Sequence, residues 1–404
     1  MAISENNRSR FWLMAALILP AVLLSACSML DRQAAVPPAY RSAATVLGIP
    51  EARFFSDETA LIEQVQKQAL IREAKHLGVK RGGVLPAAHV LALSGGGDNG
   101  AFGAGLLVGW TAHGDRPAFK LVTGVSTGAL ISVYAFLGPE YDPLLTEVYT
   151  ELNPSEVYEE RFLPVAAIAQ DALSDTGPLY QTISHYFTEE IMRKIALEYE
   201  KGRLLAIQTT DLDAGRPVFW NIGAIAASGN PQALDLIRHV LLASAAIPAA
   251  FPPVLFDVEV NGKPYQELHV DGGAVSQSFI GPAALNPEKA REEAGFRRKV
   301  ETYVIRNGKL KAEWSDVDRQ TLSVAQKAVA VLTNYSGVGD LYKIYMIVKR
   351  GGGSFNLAYI GEDFRAPHPV DFDRGYMGAL YSYAFDKARG GYPWDHAPPG
   401  FQAK

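Results

Sequence analysis

The sequence predicts an α/β protein with a mostly parallel central sheet, on three observations. From residue 88 onward, short apolar runs of β type end in glycine and lead into helix-like stretches, which is the order of elements in parallel sheets. The first of these runs, residues 89–93, is almost wholly apolar, as expected for a strand buried on both faces. With 404 residues, 48% of them hydrophobic and 20% charged, the chain has the composition of a globular protein with a large core.

Charge and cysteine content exclude several function classes. A net charge of −5 and a pI near 6.0 provide no basic field for nucleic acid. Cys27 is the one cysteine in the sequence, so it forms no intrachain disulfide and belongs to no cysteine-based zinc site.

Residues 1–26 have the pattern of an export signal. Arg8 and Arg10 precede an apolar run at residues 11–24, which is shorter than the about 20 residues that cross a bilayer. The run ends in Leu24-Ser25-Ala26-Cys27, which resembles the lipobox of bacterial lipoprotein precursors. The alternative is a short signal anchor in which the cysteine is incidental.

The resemblance to a lipobox implies that Cys27 is acylated after cleavage of residues 1–26. Each buried methylene of an acyl chain adds about 0.8 kcal/mol, so several chains on one cysteine anchor a protein stably. Ser28 follows the cysteine, which by resemblance to Gram-negative lipoproteins favours the outer membrane, facing the periplasm. We therefore expect a membrane-anchored lipoprotein of a bacterial envelope.

Two segments separate the anchor from the first strand. Residues 27–55 are rich in Ala and Pro and predict a lipidated tether. Residues 56–87 predict a helical segment capped by Ser56, with Leu61, Val65 and Ile71 among its apolar positions. Its polar face mixes acidic and basic side chains, so packing against the domain is favoured over lying on a membrane.

A glycine-rich loop follows the first predicted strand. Gly95, Gly96, Gly97 and Gly100 leave backbone N–H groups bare beside the start of a helix, an arrangement that favours an anion. The spacing also fits a dinucleotide loop, but the acidic residue expected about 20 positions later is missing, since Asp115 comes too early.

The next β-like run, residues 119–123, leads into Gly124-Val125-Ser126-Thr127-Gly128 and a helix-like stretch. Strand, Gly-x-Ser-x-Gly and helix are the parts of a nucleophile elbow, whose tight turn excludes side chains at both glycines and forces the serine outward. Ser126 is thus the candidate nucleophile.

A third motif, His269-Val270-Asp271-Gly272-Gly273, ends another apolar run after a predicted hairpin turn at Asn261-Gly262. It places Asp271 at the end of a strand, where α/β sheets bind ligands. Taken alone, the motif is also typical of an ordinary turn aspartate.

Together, the three motifs resemble the patatin-like phospholipase family in kind and in order. A fourth likeness is the segment Ala243-Ser244-Ala245-Ala246-Ile247-Pro248-Ala249-Ala250-Phe251-Pro252-Pro253. The resemblance predicts a catalytic domain at residues 88–285, with residues 303–308 similar to the family's next strand. Residues 286–404 are then a C-terminal extension packed on that domain.

The resemblance implies a three-layer α/β/α sandwich, a Ser126–Asp271 dyad and an oxyanion hole made by the amides of Gly95, Gly96 and Gly97. It implies hydrolysis of lipid acyl esters without a metal or organic cofactor. Asn99 departs from the family, which often has a basic residue there, so affinity for an anionic headgroup is expected to be reduced.

Two other functions stay open. An α/β-hydrolase triad would need His368 or His396, although both lie in proline-bearing stretches typical of loops, while His269 is expected to be structural. A lipid-binding lipoprotein without turnover is the second open function.

The three glycines at residues 351–353 predict a turn between two β-like runs.

Overall fold

The computed structural model describes residues 32–401, apart from 152–154, 156, 158, 161–173, 176, 249, 313 and 315. The predicted signal peptide and Cys27 lie outside the described residues. Within the described part of the chain, none of the helices has both the length and the apolar character needed to cross a membrane.

Strands and helices alternate through most of the chain. The strands are β1 (Arg53–Phe55), β2 (Ala88–Leu93), β3 (Phe119–Val125), β4 (Glu159–Glu160), β5 (Ser174–Asp175), β6 (Leu204–Asp211), β7 (Arg216–Asn221), β8 (Val254–Val260), β9 (Lys263–Asp271), β10 (Val300–Arg306) and β11 (Ser354–Tyr359). The helices are α1 (Thr59–Leu77), α2 (Gly100–His113), α3 (Thr127–Leu137), α4 (Asp142–Glu151), α5 (Gly177–Tyr186), α6 (Glu189–Glu200), α7 (Ile222–Ala226), α8 (Ala233–Ser244), α9 (Pro287–Ala294), α10 (Thr321–Arg350) and α11 (Arg374–Arg389).

The main sheet has a parallel centre and antiparallel additions. Its order is β1-β7-β6-β3-β2-β10-β11, in which the five strands from β6 to β11 run parallel. Strand β7 joins β6 antiparallel, and the β8–β9 hairpin also pairs with β6. Strands β4 and β5 form a separate pair. The predicted α/β class with a mostly parallel sheet is confirmed.

Helices cover both faces of this sheet, which gives the predicted three layers. Alternate residues of β2 point to opposite layers: Leu91 and Leu93 pack against α2, α3 and α8, whereas Ala92 packs against α1 and α10. All three are fully buried, so β2 is the central strand that its apolar sequence predicts.

Residues 32–55 do not form the predicted tether. Val36, Val46 and Ile49 are buried in the main core, and β1 pairs with β7 along the sheet edge. Arg53 forms a buried ion pair with Glu267 on β9. The Ala and Pro content suggested a linker, but the few apolar side chains in the segment are the ones that pack.

The predicted helix at residues 56–87 is shorter than expected, because α1 starts after Glu58 and ends at Gly78, whose left-handed backbone terminates it. Its buried face contains Ile62, Val65 and Ala69, while Leu61 and Ile71 are exposed. The helix packs on the domain, as the sequence favoured.

The C-terminal residues complete the sheet instead of packing on a finished domain. Strand β10 lies directly beside β2, and β11 pairs with β10, so the predicted boundary at residue 285 divides one sheet. The glycines at residues 351–353 join α10 to β11, so the run before them is helical and not β-like as predicted.

Candidate active site

Ser126 lies at the sharp turn between β3 and α3. Its backbone φ of +56° is unusual for a residue with a side chain, and it is the strained geometry of a nucleophile elbow. The turn is held by the Ser126 N–H, which donates to Ser244 Oγ at 3.0 Å, and by Ser244 Oγ, which donates to the Gln208 carbonyl at 2.7 Å. Ser126 therefore sits at the N-terminus of α3, where the helix dipole favours negative charge.

The two elbow glycines have no room for a side chain. A Cβ on Gly124 would lie 2.4 Å from the Gly128 carbonyl oxygen, and one on Gly128 would lie 2.5 Å from the carbonyl oxygens of Leu93 and Ser94. These contacts are with backbone, which cannot move aside cheaply. The turn at Ser126 therefore requires glycine at both positions.

Sheet register brings Asp271 to Ser126. The last residue of β3, Val125, pairs with Gln208 of β6, and the next residue of β6, Thr209, pairs with Asp271 of β9. Strand β9 thus arrives beside β6 at the point where β3 turns into Ser126. The Ser126 hydroxyl lies close enough to the Asp271 carboxyl to favour the charged form of that carboxyl.

Burial is the dominant influence on the Asp271 carboxyl. It raises the pKa of Asp271 to about 7, although the nearby Ser126 hydroxyl and the Gly273 N–H favour the charged form. The Gly273 N–H donates to Asp271 Oδ1 at 2.6 Å, and a Cβ on Gly272 would lie 2.6 Å from the Gln208 carbonyl oxygen. The Gly-Gly pair therefore allows close packing and fixes the carboxylate.

The glycine loop after β2 faces the same site, but its three amides differ. The Gly95 N–H donates to the Gln277 carbonyl at 3.0 Å, so it is already used, which corrects the expectation that all three amides face the substrate. Among the residues that the structure describes, no acceptor pairs with the amides of Gly96 and Gly97. Gly100, at the start of α2, packs against Thr127.

Comparison with known proteins agrees with this arrangement. Residues 91–284 match the model of the patatin-like phospholipase family. The chain contains a patatin-like domain. Among solved structures, VipD from Legionella pneumophila is similar at 12% identity and a TM-score of 0.32, over 76% of this chain and 67% of that chain. No curated protein sequence matches the chain.

Asn307 fixes the glycine loop of the patatin-like domain and was not predicted from sequence. Its side-chain amide donates to the Ser94 carbonyl at 2.7 Å, and its Oδ1 accepts from the Gly103 N–H at 3.0 Å. A Cβ on Gly96 would lie 2.2 Å from the Asn307 carbonyl oxygen. Asn307 lies within the predicted strand at residues 303–308 and directly after the observed end of β10 at Arg306, and that position was the available signal.

Gln277 joins the two glycine motifs of the domain and was also not predicted. Its carbonyl accepts from Gly95, its side-chain amide donates to the Gly273 carbonyl at 3.2 Å, and its own N–H donates to Asp340 on α10 at 2.6 Å. The glycine loop after β2, the Asp271 loop and α10 are thereby held together.

Asp98 and Asn99 are bound to the C-terminal part of the chain. Asp98 Oδ2 accepts from His368 Nε2 at 2.7 Å and from the Phe372 N–H at 2.9 Å, and Tyr376 donates its hydroxyl to Asn99 Oδ1 at 2.6 Å. Burial raises the pKa of Asp98 while His368 opposes that shift. The residues that replace the family's usual basic position therefore hold the C-terminal segment.

Neither His368 nor His396, the two histidines considered for a triad, has a hydrogen bond with Ser126, nor does the expected structural His269. His368 pairs with Asp98 and stacks on Tyr376. His396 contacts Asn356 at the start of β11, which is the opposite sheet edge from Ser126. His269 is fully buried between Thr209 and Glu267.

Two groups of metal-ligating side chains occur among the described residues, Asp98 with His368 and Asp371, and Asp211 with Glu267 and His269. Glu267 pairs with Arg53 and His269, which bring its pKa to about 2 despite burial. Asp98 pairs with His368. In both groups, therefore, a carboxylate is already paired with another side chain of the same chain.

An apolar cavity of about 100 Å³ opens at Ser126. Its wall is almost entirely aliphatic and aromatic and includes Leu130, Val133, Ile183, Phe187, Leu241 and Phe251. Gly97, Ser126 and Thr127 contribute to the same cavity. Such a wall accommodates a hydrocarbon chain and offers no partner for a charged group.

Proposed function

We propose that the patatin-like domain is a serine acyl hydrolase that cleaves acyl esters of lipids through a Ser126–Asp271 dyad. Ser126 Oγ attacks the ester carbonyl while Asp271 accepts the hydroxyl proton, and the alcohol leaves with a proton returned by Asp271. Water, activated by the same carboxylate, then opens the acyl-enzyme to release the fatty acid. The carrying observation is the sheet register that brings a buried Asp271 beside Ser126 on its strained turn.

The amides of Gly96 and Gly97 are the proposed oxyanion donors, together with the N-terminus of α3. Each such donor is worth about 3 kcal/mol to a transition state in which negative charge develops. The apolar cavity at Ser126 supports an acyl chain as the part of the substrate that is buried. Carboxylate basicity increases with the burial of Asp271, which makes a histidine unnecessary in this proposal.

A fluorophosphonate probe tests the proposal directly. We expect the probe to label the chain from residue 32 onward, Ser126→Ala to abolish the label, and the control Ser382→Ala, at an exposed position of α11, to leave it unchanged. Unlabelled protein with an intact fold would point instead to a lipid-binding protein without turnover.

We also propose that Cys27 is acylated and tethers the domain to a bacterial membrane, with the outer membrane favoured by Ser28. Supporting this, Arg32, the first described residue, forms a bidentate pair with Asp213 at 3.0 and 2.6 Å, in the turn after β6 at the carboxyl edge that also bears Ser126. The anchor would thus leave from the side of the active site.

Radioactive palmitate supplied to cells tests the anchor. The full chain should incorporate the label and the Cys27→Ser chain should not. Equal labelling of both would refute acylation at this cysteine.

A further inference from the structure

The first half of α10 lies outside the core. After Gly337 the helix buries Leu341, Ile344 and Ile347 against the sheet. Before it, Val324 is 51% exposed, Leu332 70% and Tyr335 67%. Large apolar side chains in such numbers on one exposed helix indicate a surface that binds something.

This half of the helix is amphipathic with its apolar side turned to solvent. Val324, Leu332 and Tyr335 are spaced by eight and eleven positions, which places them on one helix face. Asn334, on the other side, faces the protein, where its Oδ1 accepts from Arg306 Nη2 at 2.7 Å. A helix that packs on its own domain usually shows the reverse orientation.

The exposed apolar face ends beside the segment that follows the Asp271 loop. Ser336 Oγ donates to the Val275 carbonyl at 3.2 Å, and Val275, itself exposed, follows the Asp271-Gly272-Gly273 loop. Trp314, 90% exposed, lies in the segment that leaves β10 at the same sheet edge. We call Trp314, Val324, Val329, Leu332, Tyr335 and Val275 the apolar rim.

We propose that the apolar rim docks the domain on the surface of a lipid bilayer, with the active-site mouth toward the lipid. The choice of a bilayer rests on the proposed function, because acyl lipids reside in membranes and α10 contacts Val275, which follows the Asp271 loop. Trp314 and Tyr335 are of the types that settle at membrane interfaces. Lys327 is the one charged residue in residues 321–339, so the attraction is apolar and not electrostatic.

The position of the N-terminal segment agrees with this orientation. Arg32 is bound to Asp213 at the carboxyl edge, so the preceding residues leave from the edge that carries the rim. Between Cys27 and Arg32 the chain can extend at most about 18 Å. An anchor at Cys27 would hold that edge close to the bilayer.

Vesicle binding by the chain from residue 32 onward isolates the rim, because this chain keeps the described core and lacks Cys27 and the apolar leader. All proteins carry Ser126→Ala, so binding is measured without turnover. The test variant is Val324→Gln with Leu332→Gln. The control is Leu197→Gln, which removes a side chain of 57% exposure from α6 on another part of the surface.

We expect the unsubstituted chain and the Leu197→Gln control to bind phosphatidylcholine vesicles, and the test variant to bind at least about tenfold more weakly. Adding phosphatidylglycerol, or raising NaCl from about 0.05 to 0.5 M, should change binding less than about threefold, because an apolar attraction does not depend on the charge interactions that salt screens. No binding by the unsubstituted chain, or equal binding by the test variant, overturns the proposal.

Two further measurements distinguish bilayer docking from a catalytically inactive domain and from self-association. With Ser126 restored, the test variant should hydrolyse a soluble short-chain ester at the control's rate but vesicle phospholipid at least about tenfold more slowly. Absence of hydrolysis in every protein, with vesicle binding intact, refutes the proposed function and not the rim. A dimer in light scattering that the test variant converts to monomer would identify the rim as an interface between two copies and overturn bilayer docking.

Discussion

Asp271 combines its proposed catalytic role with a cost to the stability of the fold. A carboxyl group with its ordinary pKa is too weak a base to take a proton from serine at neutral pH, and burial corrects this by raising the pKa of Asp271 to about 7. The same burial makes the charged form less favourable in the folded chain than in the unfolded one. Activity and stability are therefore expected to respond in opposite directions to pH and to substitution.

The first prediction concerns the pH dependence of hydrolysis. Asp271 must be deprotonated to accept the proton of Ser126, so kcat/KM for a short-chain p-nitrophenyl ester should rise with pH and level off above an apparent pKa of about 7. Below it, the rate should fall about tenfold per pH unit. A flat profile between pH 5 and 8 would exclude Asp271 as the base.

The second prediction concerns stability. Because the folded pKa of Asp271 lies above its unfolded value of about 3.9, the folded state binds the extra proton and loses stability as pH rises from about 4 to 7. Asp271→Asn should therefore abolish turnover yet raise the free energy of unfolding at pH 8 by about 1–3 kcal/mol, with a smaller gain at pH 5. Urea denaturation at both pH values measures this, and a loss of stability at pH 8 would contradict it.

The third prediction separates the dyad from a triad. His269→Ala should destabilise the protein, because Glu267 and Thr209 lose a buried partner, while kcat stays within about tenfold of the unsubstituted value. His368→Ala and His396→Ala should likewise keep kcat within about tenfold. A collapse of kcat in His368→Ala, with an intact circular dichroism spectrum, would transfer the role of base to that histidine.

The sequence identified Ser126 and Asp271 as candidates because each lies in a short motif. The glycines of each motif are required by the turn in which they lie. The residues that support them escaped prediction because their contacts are remote: Asn307 binds Ser94 across 213 positions of sequence. The Gly95 amide was assigned to the oxyanion hole for the same reason, since its acceptor, Gln277, lies far along the chain. Local patterns reveal the reacting groups and not the side chains that hold them.

The fourth prediction concerns helices α2 and α11, which pack so closely that their backbones are in contact. A Cβ on Gly105 would lie 2.2 Å from the Tyr381 carbonyl oxygen, so Gly105→Ala should separate the helices and lower the free energy of unfolding by at least about 2 kcal/mol. Gly378→Ala on α11 is the control, because nothing lies within 4 Å of its Cβ position and alanine favours helix. Denaturant midpoints that rank the two variants in the opposite order would refute close helix packing here.

At the level of elements, the motif-bearing strands and their helices were predictable, and α10 was not. The apolar stretch at residues 341–348 has a β-like composition, yet it buries Leu341, Ile344 and Ile347 at helical spacing. For so short an apolar run, strand and helix can be distinguished only by the surface on which the run packs. The N-terminal half of α10 buries no large side chain among those that the structure describes. A pattern of buried apolar positions therefore could not reveal that the helix extends this far.

The predicted division of the chain into tether, catalytic domain and extension does not describe the folded molecule. The main sheet begins with β1 at residues 53–55 and ends with β11 at residues 354–359, and both lie outside the predicted catalytic domain. The recognisable motifs fall within residues 88–285 because the candidate catalytic residues lie there. The flanking segments carry no motif, but they provide both edges of the sheet and part of the core.

The final prediction tests whether residues 32–55 are structural. Removing them takes away β1, the buried side chains Val36 and Val46, and the Arg53 partner of Glu267, which would leave that buried carboxylate with only His269 of its two partners. Loss of such a partner alone typically removes about 3–5 kcal/mol. A chain of residues 56–404 should therefore melt at least about 5 °C below a chain of residues 32–404, or fail to fold.

The substitution Arg53→Met in the longer chain isolates the contribution of the ion pair. The melting temperature of this variant should fall between those of the other two chains, because β1 and its apolar contacts remain. If the chain of residues 56–404 melts within about 2 °C of the longer one, the segment is a tether after all.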